Sequence, residues 1–205
     1  YQSGAFRTTA ATGGDGSDFY QGTCWNYSFN VPHERDAMIV LMGGRARFIE
    51  RLEFALGKNS NSYINFTNEP SFQAIWQFCH AGRPYLASYW ADQLRQRFGD
   101  YSFPGDEDSG AMSSLYFFLT AGFFPCAGQD HYYLHGPRVP RLEFQVAGNK
   151  TFTITAEHAG GANFYVQSAT LDGNPLDAPL IHHADILAGS TLAFVMGPHP
   201  SAWGT

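Results

Sequence analysis

The sequence predicts an α+β fold in which a helical region is followed by a region of β-strands. Up to about residue 121, apolar residues recur at three- and four-residue spacing, which is typical of helices packed on a core. After Pro125, apolar and polar residues alternate, which is typical of half-buried strands. The chain has 205 residues, of which 44% are hydrophobic, so it can bury a substantial core. The pattern changes between residues 126 and 140, and we therefore predict helices over 1–130 and strands over 131–205.

Helical segments are expected in four places before this boundary. Proline is favoured in the first turn of a helix, so Glu69-Pro70 and Arg83-Pro84 are expected to begin two of them. Gly43-Gly44 interrupts the earliest segment. The last segment is nearly uncharged and rich in Phe and Leu, which predicts burial on most of its sides. The expected bounds are 25–57, 69–82, 83–99 and 109–121.

Strands are expected in the second region wherever the alternation is clearest. Asp172-Gly173-Asn174 is a turn signal that predicts a connection between two of these strands. His182-His183 is also expected on a strand, where neighbouring side chains point to opposite faces, so a metal ion shared by the two is not expected. The expected strands are 142–146, 152–156, 164–171 and 191–196.

Composition and charge exclude several classes of protein. A formal net charge of -6 and the lack of a basic run argue against a protein that binds a nucleic-acid backbone. No stretch of about 18 apolar residues occurs, so no membrane-spanning helix is expected. Cys24, Cys79 and Cys126 lack the spacing of a zinc or redox motif. One disulfide with a free thiol, or three buried thiols, are both compatible with them.

Aromatic residues make up 16% of the chain, whereas charged residues make up 15%, below the usual level of about 25%. This balance suits a protein that stacks on neutral polar ligands such as sugars, although core packing also explains it. The first residues, Tyr1-Gln2-Ser3-Gly4, contain neither an initiator Met nor a signal-peptide pattern. We therefore expect an excised or processed segment of a longer protein.

Three consecutive carboxylates, Asp106-Glu107-Asp108, lie between glycines directly before the last predicted helix. Adjacent like charges repel, so packing alone does not explain the run. Carboxylates at a helix entrance suit a general base, a cation site or a clamp for sugar hydroxyls. The alternative is a solvated acidic turn in which Asp108 or Ser109 caps the helix.

Several separated motifs occur in order from about residue 18 to the end of the chain. They are Tyr20-Gln21-Gly22-Thr23-Cys24-Trp25-Asn26-Tyr27, Val31-Pro32-His33, Met42-Gly43-Gly44, Asn68-Glu69-Pro70, Gly82-Arg83-Pro84, Gly105 to Gly110 with Met112-Ser113, Ala121-Gly122-Phe123-Phe124-Pro125, Gln167-Ser168-Ala169-Thr170-Leu171 with Gly173, Ile181-His182-His183 and Trp203-Gly204. In order and spacing these motifs resemble the α-mannosidases of glycoside hydrolase family 92. A single motif would be weak evidence, but the ordered set is specific.

The resemblance implies a fold that the chain contains only in part. Family members carry an N-terminal β-sandwich and an (α/α)6 barrel, and strands after the barrel return to pack near the sandwich. This chain resembles the second half, namely part of an (α/α)6 barrel followed by β-strands that complete a β-sandwich. Half a barrel would expose a broad apolar face, so we expect the N-terminal remainder of the same enzyme as a partner. We also expect a secreted or extracellular location, with a periplasmic one as the alternative.

The resemblance further implies exo-acting, inverting and calcium-dependent hydrolysis of mannosides. Inversion needs an acid and a base whose carboxyl groups lie about 6.5–9.5 Å apart. By resemblance the base lies in the acidic run, and we assign Asp108 as the base and Asp106 as an aid in holding the water. Glu107 is assigned to substrate binding. In an extended segment it would point away from its neighbours, which leaves a structural role as the alternative.

Asn68 and Glu69 are assigned to the calcium ion on the same resemblance. Calcium takes about six to eight oxygen ligands, and an amide oxygen and a carboxylate adjoin here. From the residues alone, a helix start capped by Asn68 is the favoured interpretation. Trp25 and Arg83 are assigned to substrate binding, with core packing and a structural ion pair as the respective alternatives.

Two positions depart from the pattern that the resemblance implies. Family members usually have a proton-donating Glu where this chain has Gln21, and many have His where it has Phe66. An alcohol leaving group needs a proton, since its pKa is near that of water, about 15.7. A phosphate monoester, with a second pKa of about 6, departs as an anion. We therefore predict hydrolysis of mannose-1-phospho-6-mannose linkages. The alternatives are an ordinary exo-α-mannosidase and an inactive, mannose-binding relative.

Overall fold

A computed structural model describes residues 22, 24–58, 62–100 and 102–205 of the chain. These residues divide into two compact units, of which the first ends at Ala74 and the second spans Ile75–Thr205. The division tests neither of the predicted domains, 1–130 and 131–205, which stay predictions. Gln21 lies outside the described residues.

The first unit contains three α-helices and one 3₁₀ turn. The helices are α1 (Cys24–Ser28), α2 (Arg35–Leu41) and α3 (Arg45–Ala55), and the 3₁₀ turn is Glu69–Ser71. Its fully buried side chains include Phe29, Phe48, Leu52 and Ile64.

The expectation of helix over 25–57 with an interruption at Gly43-Gly44 is confirmed, except that a further break separates α1 from α2. Pro32 lies between α1 and α2, and proline has no N–H with which to continue a helix. Gly43 and Gly44, with φ of 94° and 89°, separate α2 from α3. Gly44 donates its N–H to the carbonyl of Ile39 at 2.9 Å, which closes the end of α2.

The helices of the second unit are α4 (Gln77–His80), α5 (Pro84–Arg95) and α6 (Ala111–Ala121), with a 3₁₀ turn over Asp108–Gly110 before α6. The predicted helices over 83–99 and 109–121 are confirmed in place and type. The single helix predicted over 69–82 is wrong. Turns separate Ser71 from α4, and only short helical pieces form at its two ends.

Helix α6 buries one face rather than most of its sides. Met112, Leu115 and Leu119 are each 1% exposed and form a stripe at helical spacing. Tyr116 and Phe117 on the other side are each 41% exposed. The predicted burial on most sides is therefore wrong, because aromatic neighbours cover the second face only in part.

The strands of the second unit form two sheets. In chain order the strands are β1 (Phe123–Pro125), β2 (His131–Leu134), β3 (Arg141–Val146), β4 (Lys150–Glu157), β5 (Tyr165–Leu171), β6 (Asn174–Pro175), β7 (Leu180–His182) and β8 (Thr191–Gly197). One sheet has the order β1-β2-β7 and the other β3-β4-β8-β5-β6, with β4 and β8 parallel. Both sheets and the end of α6 share one apolar core.

All four predicted strands are confirmed as β3, β4, β5 and β8. The turn signal is confirmed as well, since Asp172 and Gly173 take φ of 50° and 80° between the antiparallel strands β5 and β6. The prediction for His182-His183 is wrong, because His182 ends β7 and His183 begins a seventh helix, α7 (His183–Ala188). Asp185 favours the start of a helix at this point, because its carboxylate accepts the N–H of His182 at 2.8 Å in a capping box.

None of the three cysteines forms a disulfide with another, so the alternative of one disulfide is wrong. Cys79 and Cys126 are buried, whereas Cys24 is only partly buried, so the alternative of three buried thiols is not met in full either. Burial raises the pKa of the Cys79 thiol far above its usual range. Among the described helices, none has the length and apolar character needed to cross a membrane.

Candidate active site

The acidic run folds as a tight turn that leads into α6. Asp106 and Asp108 are exposed, and Glu107 is half-buried between them. The backbone at Glu107 is helical, with φ of −66° and ψ of −32°, so this segment is not extended. The expected alternation of side chains along the run is therefore wrong, and the positions of the three carboxylates follow from the turn.

The backbone of this turn is left-handed at three consecutive residues. Asp108, Ser109 and Gly110 have φ of 45°, 59° and 99°. A left-handed residue other than glycine costs roughly 1–3 kcal/mol, and such residues cluster at functional sites. The N-cap of α6 is Gly110, so the alternative that Asp108 or Ser109 caps the helix is wrong. The strain at Asp108 is thus not explained by helix capping.

Arg83 lies directly before α5, within the same unit as the acidic run. Its side chain is exposed, and Nη1 donates to the carbonyl of Gly82 at 2.8 Å. A guanidinium has five N–H donors, so others remain for an oxyanion. The described residues include no carboxylate paired with Arg83, and the alternative of a structural ion pair gains no support from them.

Asn68 and Glu69 lie in the first unit, at the entrance of the 3₁₀ turn. Asn68 has an extended backbone, and its carbonyl accepts the N–H of Ser71 at 3.1 Å. Asn68 takes the N-cap position of this turn, which confirms the predicted helix start, but its side chain forms no capping bond to the turn. Glu69 is exposed and Asn68 half-buried, which leaves a carboxylate available to solvent beside an amide.

Asn26 is a site-supporting residue that the sequence analysis did not single out. It is 2% exposed, and its side-chain amide donates to the hydroxyl of Ser71 at 2.6 Å and to the carbonyl of Asn65 at 3.1 Å. These bonds tie α1 to the segment that carries Asn68 and Glu69. A buried amide with such partners is costly to replace. The only sequence signal is its place beside Trp25 in the first motif.

Trp25 packs within an aromatic cluster of the first unit. Its ring lies 5.5 Å from Tyr63 and 5.8 Å from Phe54 between centroids, and the guanidinium carbon of Arg51 lies 6.0 Å from its centroid. The side chain remains half-buried rather than buried. Phe66, by contrast, is 3% exposed and belongs to the core of this unit. Both the packing and the sugar-binding interpretations of Trp25 are compatible with this surrounding.

The candidate residues fall into two groups. Asp106, Glu107, Asp108 and Arg83 belong to the second unit, and the structure holds the first three in one turn. Trp25, Asn68 and Glu69 belong to the first unit, where Asn26 links their two segments.

Comparison with known proteins identifies the family. The sequence profile of the glycosyl hydrolase family 92 catalytic domain matches residues 1–198. The chain belongs to glycosyl hydrolase family 92. The resemblance expected from the ordered motifs is therefore confirmed, and family 92 is a family of glycosidases.

Relatives of this family 92 chain are considerably longer. An uncharacterized secreted glycosidase from Arthroderma benhamiae is 35% identical over 193 residues, which are 91% of this chain and 24% of that protein. A GH92 family glycosyl hydrolase of known structure is 27% identical with a TM-score of 0.82, covering 91% of this chain and 30% of the other. A family GH92 α-mannosidase from Bacteroides thetaiotaomicron is 24% identical with a TM-score of 0.85, covering 95% and 27%.

These shares mean that the chain spans about a quarter to three-tenths of the length of the relatives it matches. At 24% identity the α-mannosidase supports the fold alone.

The donor set of Asn68 and Glu69 fits calcium in kind but not in number. Carboxylate and amide oxygens are ligands that calcium prefers, and about six to eight are needed. The two residues offer a minority of these. Within the described ranges, no cluster of three His, Cys, Asp or Glu side chains that could hold a metal ion occurs. The remaining ligands of such a site would be waters, carbonyls or residues from outside the chain.

Proposed function

We propose that this chain forms part of an inverting family 92 glycosidase that removes terminal α-mannose from mannose-1-phosphate linkages. Its substrate would be a mannose-1-phospho-6-mannose cap on a glycan. One observation supports the proposal: Asp108 is exposed on a left-handed backbone and would provide a base, whereas Gln21, which the resemblance places at the family's acid, would provide no proton.

Asp108 acts as the general base in this proposal. Its carboxylate is exposed at the turn before α6 and is free to accept a proton from an attacking water. Asp106, two residues earlier and also exposed, helps to hold that water. Attack from the face opposite the leaving group inverts the anomeric carbon, so β-mannose is released.

Gln21 selects the leaving group. An amide donates hydrogen bonds but does not protonate an alkoxide at neutral pH. A phosphate ester departs as an anion without a proton, because its second pKa is about 6. Gln21 also adds no negative charge that would repel a phosphodiester, whereas a Glu there would.

A bound calcium ion would supply positive charge for holding the sugar hydroxyls and for favouring ring distortion. In this chain Asn68 and Glu69 would hold it, with Asn26 fixing the segment on which they lie. Arg83 and Trp25 would contact the glycan, the first at a phosphate and the second at a sugar ring. We further propose that the remaining ligands come from the N-terminal remainder of the same enzyme, and that the enzyme is secreted or extracellular.

An ordinary exo-α-mannosidase is the second candidate. The names of two solved relatives, an α-mannosidase and an inverting mannosidase from Bacteroides thetaiotaomicron, favour it. In that case another residue supplies the proton, and neutral α-mannosides are cleaved well. A mannose-binding relative without turnover is the remaining alternative.

Substrate comparison with the complete enzyme tests the proposal. We expect a mannose-α-1-phosphate diester to be cleaved with a kcat/KM at least about 100-fold above that of a neutral α-mannobioside, since an acid catalyst contributes about 10²–10⁴-fold. Release of β-mannose, followed by NMR, checks inversion. Equal cleavage of both substrates, or preference for the mannobioside, would contradict it, and binding without turnover would support the inactive relative.

A further inference from the structure

We propose that Glu107 is a positioning residue that holds the turn presenting Asp108, rather than a residue that binds the sugar. The inference rests on the proposed function, because it takes Asp108 as the base. It concerns the middle carboxylate of the run, which the sequence analysis assigned to the substrate.

The backbone carbonyl of Glu107 accepts the first hydrogen bonds of α6. The N–H groups of Gly110 and Ala111 donate to it at 3.2 Å and 2.8 Å, and that of Met112 at a longer 3.4 Å. The first N–H groups of a helix have no partner within the helix, so they need acceptors of this kind. One carbonyl thereby fixes both ends of the left-handed turn Asp108–Gly110.

The side-chain carboxylate of Glu107 accepts the next N–H group of α6. Its Oε1 accepts the N–H of Ser113, the third residue of α6, at 3.4 Å. A negative charge at this end of a helix is also favoured by the helix dipole. Oε1 lies over the turn as well, since a Cβ added at Gly110 would be 3.9 Å from it. The side chain therefore folds back over the strained residues that carry the base.

The carboxylate of Glu107 is directed toward α6 rather than toward solvent. Oε1 is engaged by Ser113, and Oε2 is buried without a hydrogen-bond donor among the described residues. Asp106 and Asp108 on either side are exposed. The three adjacent carboxylates thus divide into two that face solvent and one that faces the helix.

We expect this arrangement to affect kcat more than the affinity for the sugar. Left-handed residues other than glycine persist only where their surroundings enforce them, and Glu107 supplies the bonds that close this turn. A base displaced by about 1 Å loses on the order of 100-fold in rate. Loss of the Glu107 contact would therefore lower kcat, while the affinity for mannose, set by other residues, would change little.

Two substitutions separate the effect of the length of the Glu107 side chain from the effect of its charge. Glu107→Gln keeps the length of the side chain and an oxygen that accepts the Ser113 N–H, but it removes the charge. Glu107→Asp keeps the charge but is one methylene shorter, so it withdraws from Ser113. Glu157→Gln, at an exposed glutamate that ends β4, is the matched control for loss of one charge.

The test is made with the complete enzyme, on whichever mannoside the wild type cleaves. We expect Glu107→Asp to lower kcat about 10- to 100-fold with KM changed less than about threefold. Glu107→Gln and the control should stay within about threefold of wild type. The reverse order, with Glu107→Gln impaired and Glu107→Asp active, would overturn the inference, as would a rise in KM in both variants or no effect in either.

A failure of the inference on Glu107 can be distinguished from a failure of the proposed function. If Asp108→Asn remains active on every substrate, the assignment of the base fails, whatever Glu107 does. If only the preference for phosphodiesters fails, the comparison of the two Glu107 variants proceeds unchanged on a neutral mannoside. Thermal unfolding of each variant reports whether a loss of kcat accompanies a loss of fold.

Discussion

At the scale of single residues, the turn before α6 places chemically similar side chains in different surroundings. Asp108 is exposed on a left-handed backbone, whereas Glu107 turns inward and accepts the N–H of Ser113. The acidic run stood out in the sequence, but the inward position of Glu107 did not, because the conformation of a turn depends on bonds to the following helix. The roles assigned to the three carboxylates stay predictions.

Replacing Asp108 by Asn removes the proposed base and keeps nearly the same shape. We expect kcat to fall on the order of 10³-fold or more on both phosphodiester and neutral mannosides, because amides do not accept a proton from water. Steady-state kinetics on the two substrates measures this effect. Asp106→Asn should cost less, and a variant at Asp108 that retains more activity than the one at Asp106 would reverse the assignment.

At the scale of secondary-structure elements, long periodic segments and the glycine and proline signals beside them were predictive, and short strands were not. Helices α5 and α6 and the longer strands were found from their apolar pattern, with Pro84 marking the start of α5. Strands β1, β2, β6 and β7 were missed, since each has two to four residues, too few to show the alternation that is typical of a strand. The exposure of one face of α6 was also mispredicted. The composition of a helix shows that it is apolar, but it does not show which of its faces are covered by other elements.

His135 links α6 to the end of β2 and makes this part of the second unit sensitive to acid. It is fully buried, its Nε2 donates to the carbonyl of Leu119 at 3.3 Å, and its ring lies 4.6 Å from that of Trp76. Burial lowers the pKa of His135 to about 3, and the bond to Leu119 opposes this shift only in part. The folded state therefore holds the neutral imidazole.

Because the folded pKa lies below the unfolded value, the stabilisation from neutral His135 is complete above about pH 6.5 and is lost as the pH falls from 6.5 towards 3. We expect the unfolding free energy to decrease as the pH falls through this range, and to decrease faster in the wild type than in His135→Phe. The difference between the two slopes should be about 1.4 kcal/mol per pH unit. Denaturant unfolding at pH 7 and pH 4.5 checks the difference. His33→Gln, at an exposed histidine, should retain the wild-type slope, and equal slopes for all three proteins would contradict the prediction.

At the scale of the whole molecule, the chain carries a part of a family 92 catalytic domain in two compact units. The ordered motifs made the family predictable from the sequence. The (α/α)6 barrel and the completed β-sandwich stay predictions, because they involve segments that the chain does not include. The same holds for the calcium site, for which Asn68 and Glu69 offer only a minority of the ligands needed.

Removal of calcium therefore tests the whole proposed metal site, and not Asn68 or Glu69 individually. We expect excess chelator to abolish activity of the complete enzyme on both classes of substrate, and added calcium, but not magnesium, to restore it, since magnesium prefers fewer ligands at shorter distances. Glu69→Gln should raise the calcium concentration that gives half-maximal activity, whereas Glu50→Gln, at an exposed glutamate of α3, should not. Full activity in excess chelator would remove both Asn68 and Glu69 from a metal-binding role.

Substitution of Gln21 by Glu tests whether the site works without an acid. We expect Gln21→Glu to raise kcat/KM on a neutral α-mannobioside by about 10²–10⁴-fold, because an acid is supplied, and to lower it on the mannosyl phosphodiester, because the new charge repels the substrate. Gln145→Glu, which adds the same charge on the exposed side of β3, is the control and should change neither value. A Gln21→Glu enzyme that gains nothing on the neutral mannoside would show that residue 21 does not lie at the acid site.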